Sequence, residues 1–120
     1  HQGGDEVLRE IAKRIQNELR LSDALGRFGG EEFVVLLIDA PHAVAIAVAE
    51  RIRQSVHGKG LLLSSGETMQ ATVSIGVATA GKLERKDPPL PIAQALLSRA
   101  DEALYRAKKA GRNRVISGGE

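Results

Sequence analysis

The sequence has no cysteine and no tryptophan. Without thiols there is no disulfide, no cysteine nucleophile and no Cys-based zinc site. Aromatic residues are scarce, two Phe and one Tyr among 120 residues, which leaves no stacking platform for a single-stranded nucleic acid. Charge of one sign is also missing. The 17 Lys and Arg against 15 Asp and Glu leave a net charge of +2, too little for the basic footprint of a nucleic-acid binder. The longest unbroken apolar runs, Ala43 to Ala49 and Phe33 to Ile38, are far short of the about 20 residues a membrane helix needs. Residues 1–20 pattern as an amphipathic helix rather than a signal peptide. What is present is 42% hydrophobic and 27% charged, the mixture of one soluble domain able to bury roughly two-thirds of its unfolded surface. The expectation is a cytoplasmic domain with no nucleic-acid partner and no membrane contact from this segment.

Apolar residues Val7, Leu8, Ile11, Ala12, Ile15 and Leu19 recur at helical spacing, so residues 5–19 are expected to be a helix with Asp5 as its N-cap or first-turn acid. Arg20 to Asp23 is a polar break. Ala24 to Phe28 and Phe33 to Ile38 flank Gly29-Gly30 and read as a β-hairpin. Pro41 suits the first turn of a second helix, whose stripe Val44, Ala45, Val48, Ala49, Ile52 and Val56 runs to about His57. Leu61 to Leu63 is a short strand and Ser65-Gly66 a turn. From Met69 the alternation Met69, Ala71, Val73, Ile75, Val77 predicts a half-buried antiparallel strand. Gly81 to Pro91 is a proline-rich loop. A third helix spans Ile92 to Lys109, with Leu96, Leu97, Ala100, Leu104 and Ala107 inward and Gly111 stopping it. Asn113 to Ile116 closes as a strand. The layout is α+β, with helices on an antiparallel sheet.

The densest chemistry lies in Arg27-Phe28-Gly29-Gly30-Glu31-Glu32-Phe33. Glycines let a ligand approach the backbone, and a carboxylate at such a tip suits Mg²⁺, which takes oxygen ligands and a substrate phosphate. An ordinary hairpin with solvated acids fits the same residues. Likewise Lys108 can complement the third helix's dipole, and Arg20-Leu21-Ser22-Asp23 can be a plain charged turn. His42 and His57 flank the second helix and are expected to be solvated. No metal-binding histidine cluster follows from the spacing.

Gly29-Gly30-Glu31-Glu32-Phe33 resembles the signature of the GGDEF-type diguanylate cyclases. Four other segments resemble the same family in order and spacing. They are His1-Gln2-Gly3-Gly4-Asp5 with Val7-Leu8, Thr72-Val73-Ser74-Ile75-Gly76-Val77, Ala100-Asp101-Glu102-Ala103-Leu104-Tyr105-Arg106-Ala107-Lys108, and Gly111-Arg112-Asn113. The resemblance implies a nucleotide-cyclase, ferredoxin-like and palm-like topology. It implies condensation of two GTP into cyclic di-GMP with release of two pyrophosphates, by two domains facing each other in a homodimer. Mg²⁺ or Mn²⁺ is the implied cofactor.

By the same resemblance Glu31 is the metal-binding, catalytic carboxylate, and Glu32 belongs to the catalytic signature. Gly29 and Gly30 form the turn under the nucleotide. Asp5 hydrogen-bonds guanine, and Lys108 and Arg112 hold the terminal phosphates. Arg20 and Asp23 resemble an R-x-x-D product-inhibition motif, which Ala24 to Phe28 separates from the signature. Arg51 resembles a further arginine of that allosteric inhibitory site. The family's first strand, with a metal-binding Asp, and its first helix, with a guanine-contacting Asn, match nothing in these 120 residues. The expectation is therefore an N-terminally truncated domain, inactive as it stands, from a protein with an upstream sensory or receiver domain. Two other readings use the same residues. One is a catalytically silent module binding cyclic di-GMP or GTP. The other is a palm-like nucleic-acid binder, which the low charge and scarce aromatics disfavour.

Overall fold

The computed structural model describes residues 2–29, 32–37, 39–80 and 86–119. Among them the element order is α1 (Gln2–Asn17), β1 (Ala24–Gly29), β2 (Glu32–Leu36), α2 (His42–His57), β3 (Leu61–Leu62), β4 (Thr68–Met69), β5 (Ile75–Val77), α3 (Pro89–Lys109) and β6 (Val115–Ser117). This is the mixed α and β arrangement that the hydrophobic periods predict.

Apolar burial explains how the helices pack. Ile11 and Ile15 of α1 meet Val48, Ile52 and Val56 of α2, and Leu61 of β3 completes the cluster. Val56 and Leu61 are fully excluded from solvent. Arg14 joins the two helices at the polar end of that contact. Its guanidinium donates to the carbonyls of Ser55 at 3.0 Å, Lys59 at 2.6 Å and Gly60 at 2.8 Å. Carbonyls at and beyond the last turn of a helix have no partner within it, so one arginine satisfies the end of α2 and fixes α1 beside it. Glu6, in the second turn of α1, accepts from the Ser64 backbone N–H and from its hydroxyl at 2.9 Å.

β1 and β2 form the expected antiparallel hairpin, from Ala24 opposite Leu36 to Gly29 opposite Glu32, with a register shift between Arg27 and Gly29. β3 and β4 form a second antiparallel ladder. β5 departs from expectation. Its partner is β6, and the pairing is parallel, Ile75 opposite Val115. The chain leaves β5, crosses through α3 and returns, and such a crossover delivers a parallel neighbour. Of the alternation from Met69, Ala71, Val73 and Ile75 pack on the core, but Met69 is exposed and residues 70–74 are not strand, so the one expected strand is two short ones, β4 and β5. The alternation carries no information about strand direction.

Gly76 makes the close approach of β5 to α3 possible. A Cβ there would run into the backbone of Ala100 and Leu104. The buried contact face of α3 is accordingly small-sided, Ala103 and Ala107, and Ala103 was not among the expected inward residues. α3 also begins earlier than expected, at Pro89 rather than Ile92. Prolines are compatible with a first turn, where the N–H groups lack helical partners. Pro41 takes the N-cap position of α2 instead of its first turn. His42 is a further correction. It is not merely solvated, for its Nδ1 lies 2.7 Å from the Thr79 hydroxyl and its Nε2 2.8 Å from that of Ser117.

Candidate functional site

Two groups of residues singled out from the sequence are brought together in space. The first sits where the hairpin meets the end of α3. Gly29 closes β1 opposite Glu32, while Gly30 and Glu31, between them, lie outside the described residues. Lys108 Nζ reaches to 3.6 Å from Glu32 Oε1, with both side chains about a third exposed or more. An ion pair so exposed adds little stability, but it places a cation of α3 at the hairpin carrying the paired acids. Asp5 is an exposed acid in the first turn of α1, which decides for the first-turn position over the N-cap.

α3 ends in a way that presents Arg112. The Arg112 N–H donates to the Ala107 carbonyl at 2.9 Å and the Gly111 N–H to that of Lys108 at 3.5 Å, the paired bonds of a Schellman cap. Gly111, Arg112 and Asn113 then have φ of +125°, +63° and +47°. A non-glycine residue in that region costs about 1–3 kcal/mol and persists only where its surroundings hold it. One surrounding group is Arg53 of α2, whose Nη1 donates to Asn113 Oδ1 at 2.9 Å.

A cleft of 230 Å³ opens between α1 and the hairpin, lined by Leu8, Arg9, Ala12, Leu25, Arg27 and Phe33. Among the described residues no group of three His, Asp or Glu side chains could hold a metal ion. Glu31, the candidate metal carboxylate, lies outside those residues.

The second group is Arg20, Asp23 and Arg51, which line one cleft of 120 Å³ with Glu18, Leu37, Ala40, Val44 and Val48. The Asp23 side chain is 2% exposed and Arg20's is 55% exposed. Asp23 accepts from the Arg20 backbone N–H at 2.8 Å and from Nε and Nη2 at 3.1 and 2.8 Å. These hydrogen bonds and the carboxylate's charge raise the Arg20 pKa further above its ordinary value. Arg51 Nε lies 3.7 Å from Glu18 Oε1. The cleft is smaller than the about 300 Å³ at which ligand pockets begin.

The family described as "Diguanylate cyclase, GGDEF domain" matches residues 1–114. The chain belongs to the GGDEF family. It is 48% identical over 118 residues to the response regulator PleD of Caulobacter vibrioides, covering 97% of this chain and 24% of that protein. It is 44% identical over 115 residues to diguanylate cyclase A of Treponema denticola, covering 96% of this chain and 29% of the relative. The chain thus spans about a quarter of the length of these curated GGDEF relatives. The GGDEF domain of DgcB from Caulobacter crescentus, solved in complex with c-di-GMP, superposes with a TM-score of 0.82 at 33% identity, covering 98% of this chain and 66% of that one.

Two features escaped the sequence reading. The Arg53–Asn113 bond joins residues 60 apart, and no spacing rule connects them. Glu18 stands near the R-x-x-D segment, but its pairing with Arg51 depends on how α1 and α2 pack.

Proposed function

We propose that this chain is the greater part of a GGDEF domain whose parent protein condenses two GTP into cyclic di-GMP with loss of two pyrophosphates. The observation that carries the reading is the family match over residues 1–114, joined to the meeting of Lys108 with the paired-acid hairpin at 3.6 Å. Phosphoryl chemistry of this kind depends on positioning and on neutralising charge. Lys108 and Arg112 would hold the terminal phosphates, and the Asp5 carboxylate would accept from the guanine N1–H and amino group. Gly29 and Gly30 would let the nucleotide lie against the turn. Glu31 would be the carboxylate for Mg²⁺ or Mn²⁺, together with ligands supplied by a preceding segment. A divalent ion there would lower the pKa of the attacking 3′-hydroxyl and stabilise the leaving pyrophosphate.

Facing domains of a homodimer would each present one GTP, so that each 3′-hydroxyl attacks the other α-phosphate. Arg20 and Asp23, with Arg51, would bind the product, since cyclic di-GMP offers phosphates to a guanidinium and guanine donors to a carboxylate. A sensory or receiver domain upstream and a cytoplasmic location belong to the same proposal. No helix among the described residues is long and apolar enough to cross a membrane.

The test is to incubate the whole protein with GTP and Mg²⁺ and separate the products by chromatography. Cyclic di-GMP with two pyrophosphates per product supports the proposal. Tight nucleotide binding without turnover would instead favour a silent binding module.

A further inference from the structure

We propose that Arg53, held by Glu50, is a positioning residue for Arg112 and hence for the terminal phosphates of the nucleotide. The proposal rests on the assignment of Arg112 as a phosphate-holding cation. The direction in which Arg112 leaves the backbone is set by the run of positive φ at Gly111, Arg112 and Asn113; glycine and asparagine adopt that region readily, whereas Arg112 is held there by its neighbours.

The run is tied at both ends. Before it, the Schellman bonds to Ala107 and Lys108 fix Gly111 and the Arg112 N–H. After it, Asn113 is held through its side chain by Arg53 at 2.9 Å, and the Arg114 Nε donates to the Arg112 carbonyl at 3.1 Å.

Arg53 is itself fixed. Its Nε donates to both Glu50 carboxylate oxygens at 3.0 Å, and its Nη2 also donates to Glu50. With those two nitrogens taken by Glu50, Nη1 is aimed at Asn113. The Arg53 side chain is 18% exposed, and its helix is anchored by the buried Ile52 and Val56. The opposite charge of Glu50 balances that of Arg53, so the pair contributes geometry to the turn rather than a field for phosphate.

The experiment compares the affinity of the whole protein for α,β-methylene-GTP, whose α–β bridge cannot be cleaved, and for GMP by equilibrium titration. The variants are Arg53→Met, Arg53→Lys, Arg112→Ala and the Arg53→Met/Arg112→Ala pair. Arg112→Ala should weaken the triphosphate analogue about 10-fold or more, the scale of a charged hydrogen bond. Arg53→Met should weaken it about 3- to 10-fold, less than the loss of Arg112 itself, because Arg53 acts on the phosphates only through the turn. GMP, which lacks the terminal phosphates, should bind both variants as it binds the parent. Adding Arg53→Met to Arg112→Ala should cost nothing more, because Arg53 acts through Arg112. Arg53→Lys, which keeps a donor for Asn113, should recover part of the affinity. If Arg53→Met does not fold, Glu50→Gln loosens the same fork and should give a smaller loss, again confined to the triphosphate. Equal losses for GMP and the triphosphate, or additive losses in the pair, overturn the positioning role while leaving Arg112 in place. An Arg112→Ala variant that binds the triphosphate normally overturns the phosphate assignment and the proposal with it.

Discussion

Asp23 carries a carboxylate whose side chain is 2% exposed, and Arg20 supplies the charged hydrogen bonds that make this burial tolerable. The turn closes in both directions, since the Asp23 N–H also donates to the Arg20 carbonyl at 3.0 Å. The structural role and the proposed product site therefore coexist in the same two residues. Arg20→Ala should weaken binding of cyclic di-GMP by about 1.5–3 kcal/mol, the worth of a charged hydrogen bond. Calorimetry on the folded variant checks this, and equal affinity would return the segment to a plain charged turn. Glu18 holds Arg51 by an exposed ion pair and so competes with a phosphate for it. Glu18→Gln should tighten product binding by about 2- to 5-fold, because exposed pairs are worth up to about 1 kcal/mol. Titration with cyclic di-GMP would show it, and weaker binding would mean that Glu18 orients Arg51 rather than competing for it.

At the level of elements, β5 and α3 are in contact because Gly76 has no side chain. Gly76→Ala would press a methyl group against the backbone of Ala100 and Leu104, and overpacking of this kind costs about 1–3 kcal/mol. A lowered urea midpoint with an unchanged slope is the expected result. On α2, the hydrogen bonds from Arg53 lower the Glu50 pKa in the folded chain. Its contribution is therefore complete above the unfolded carboxyl value of about 4.3 and is lost as pH falls through the lower folded value. Glu50→Gln should be less stable than the parent at neutral pH and should approach it in acid, as urea midpoints at the two pH values would record.

The helices and the hairpin are legible because their apolar periods are long and bounded by glycine and proline. Strand direction at β5 is not, because it is set by the crossover through α3. Lys108 and Glu32 are each visible as members of motifs, but their contact at 3.6 Å arises only when α3 is laid beside the hairpin. Arg53 shows in the sequence only as the i,i+3 helix partner of Glu50, since its other partner, Asn113, lies across the fold.

Over the whole molecule the described strands form three separate two-stranded ladders rather than one sheet. The radius of gyration is 15.0 Å, above the about 13.6 Å usual for a chain of this length. Both facts support the proposal that a further strand, outside residues 1–120, completes the sheet. Residues 1–120 alone should then melt without cooperativity, whereas the same segment within its parent should melt cooperatively. A sharp calorimetric transition from the isolated segment would count against an incomplete sheet.

The central claim, cyclic di-GMP synthesis with Glu31 as an essential carboxylate, is tested most directly by comparing turnover of GTP by the whole protein and by its Glu31→Gln variant. That substitution keeps the shape and removes the charge. The account predicts cyclic di-GMP from the parent and a rate at least about 10²-fold lower from the variant, the scale of losing one electrostatic contact in the transition state. Near-normal synthesis by Glu31→Gln, or no cyclic di-GMP from the parent, would contradict it.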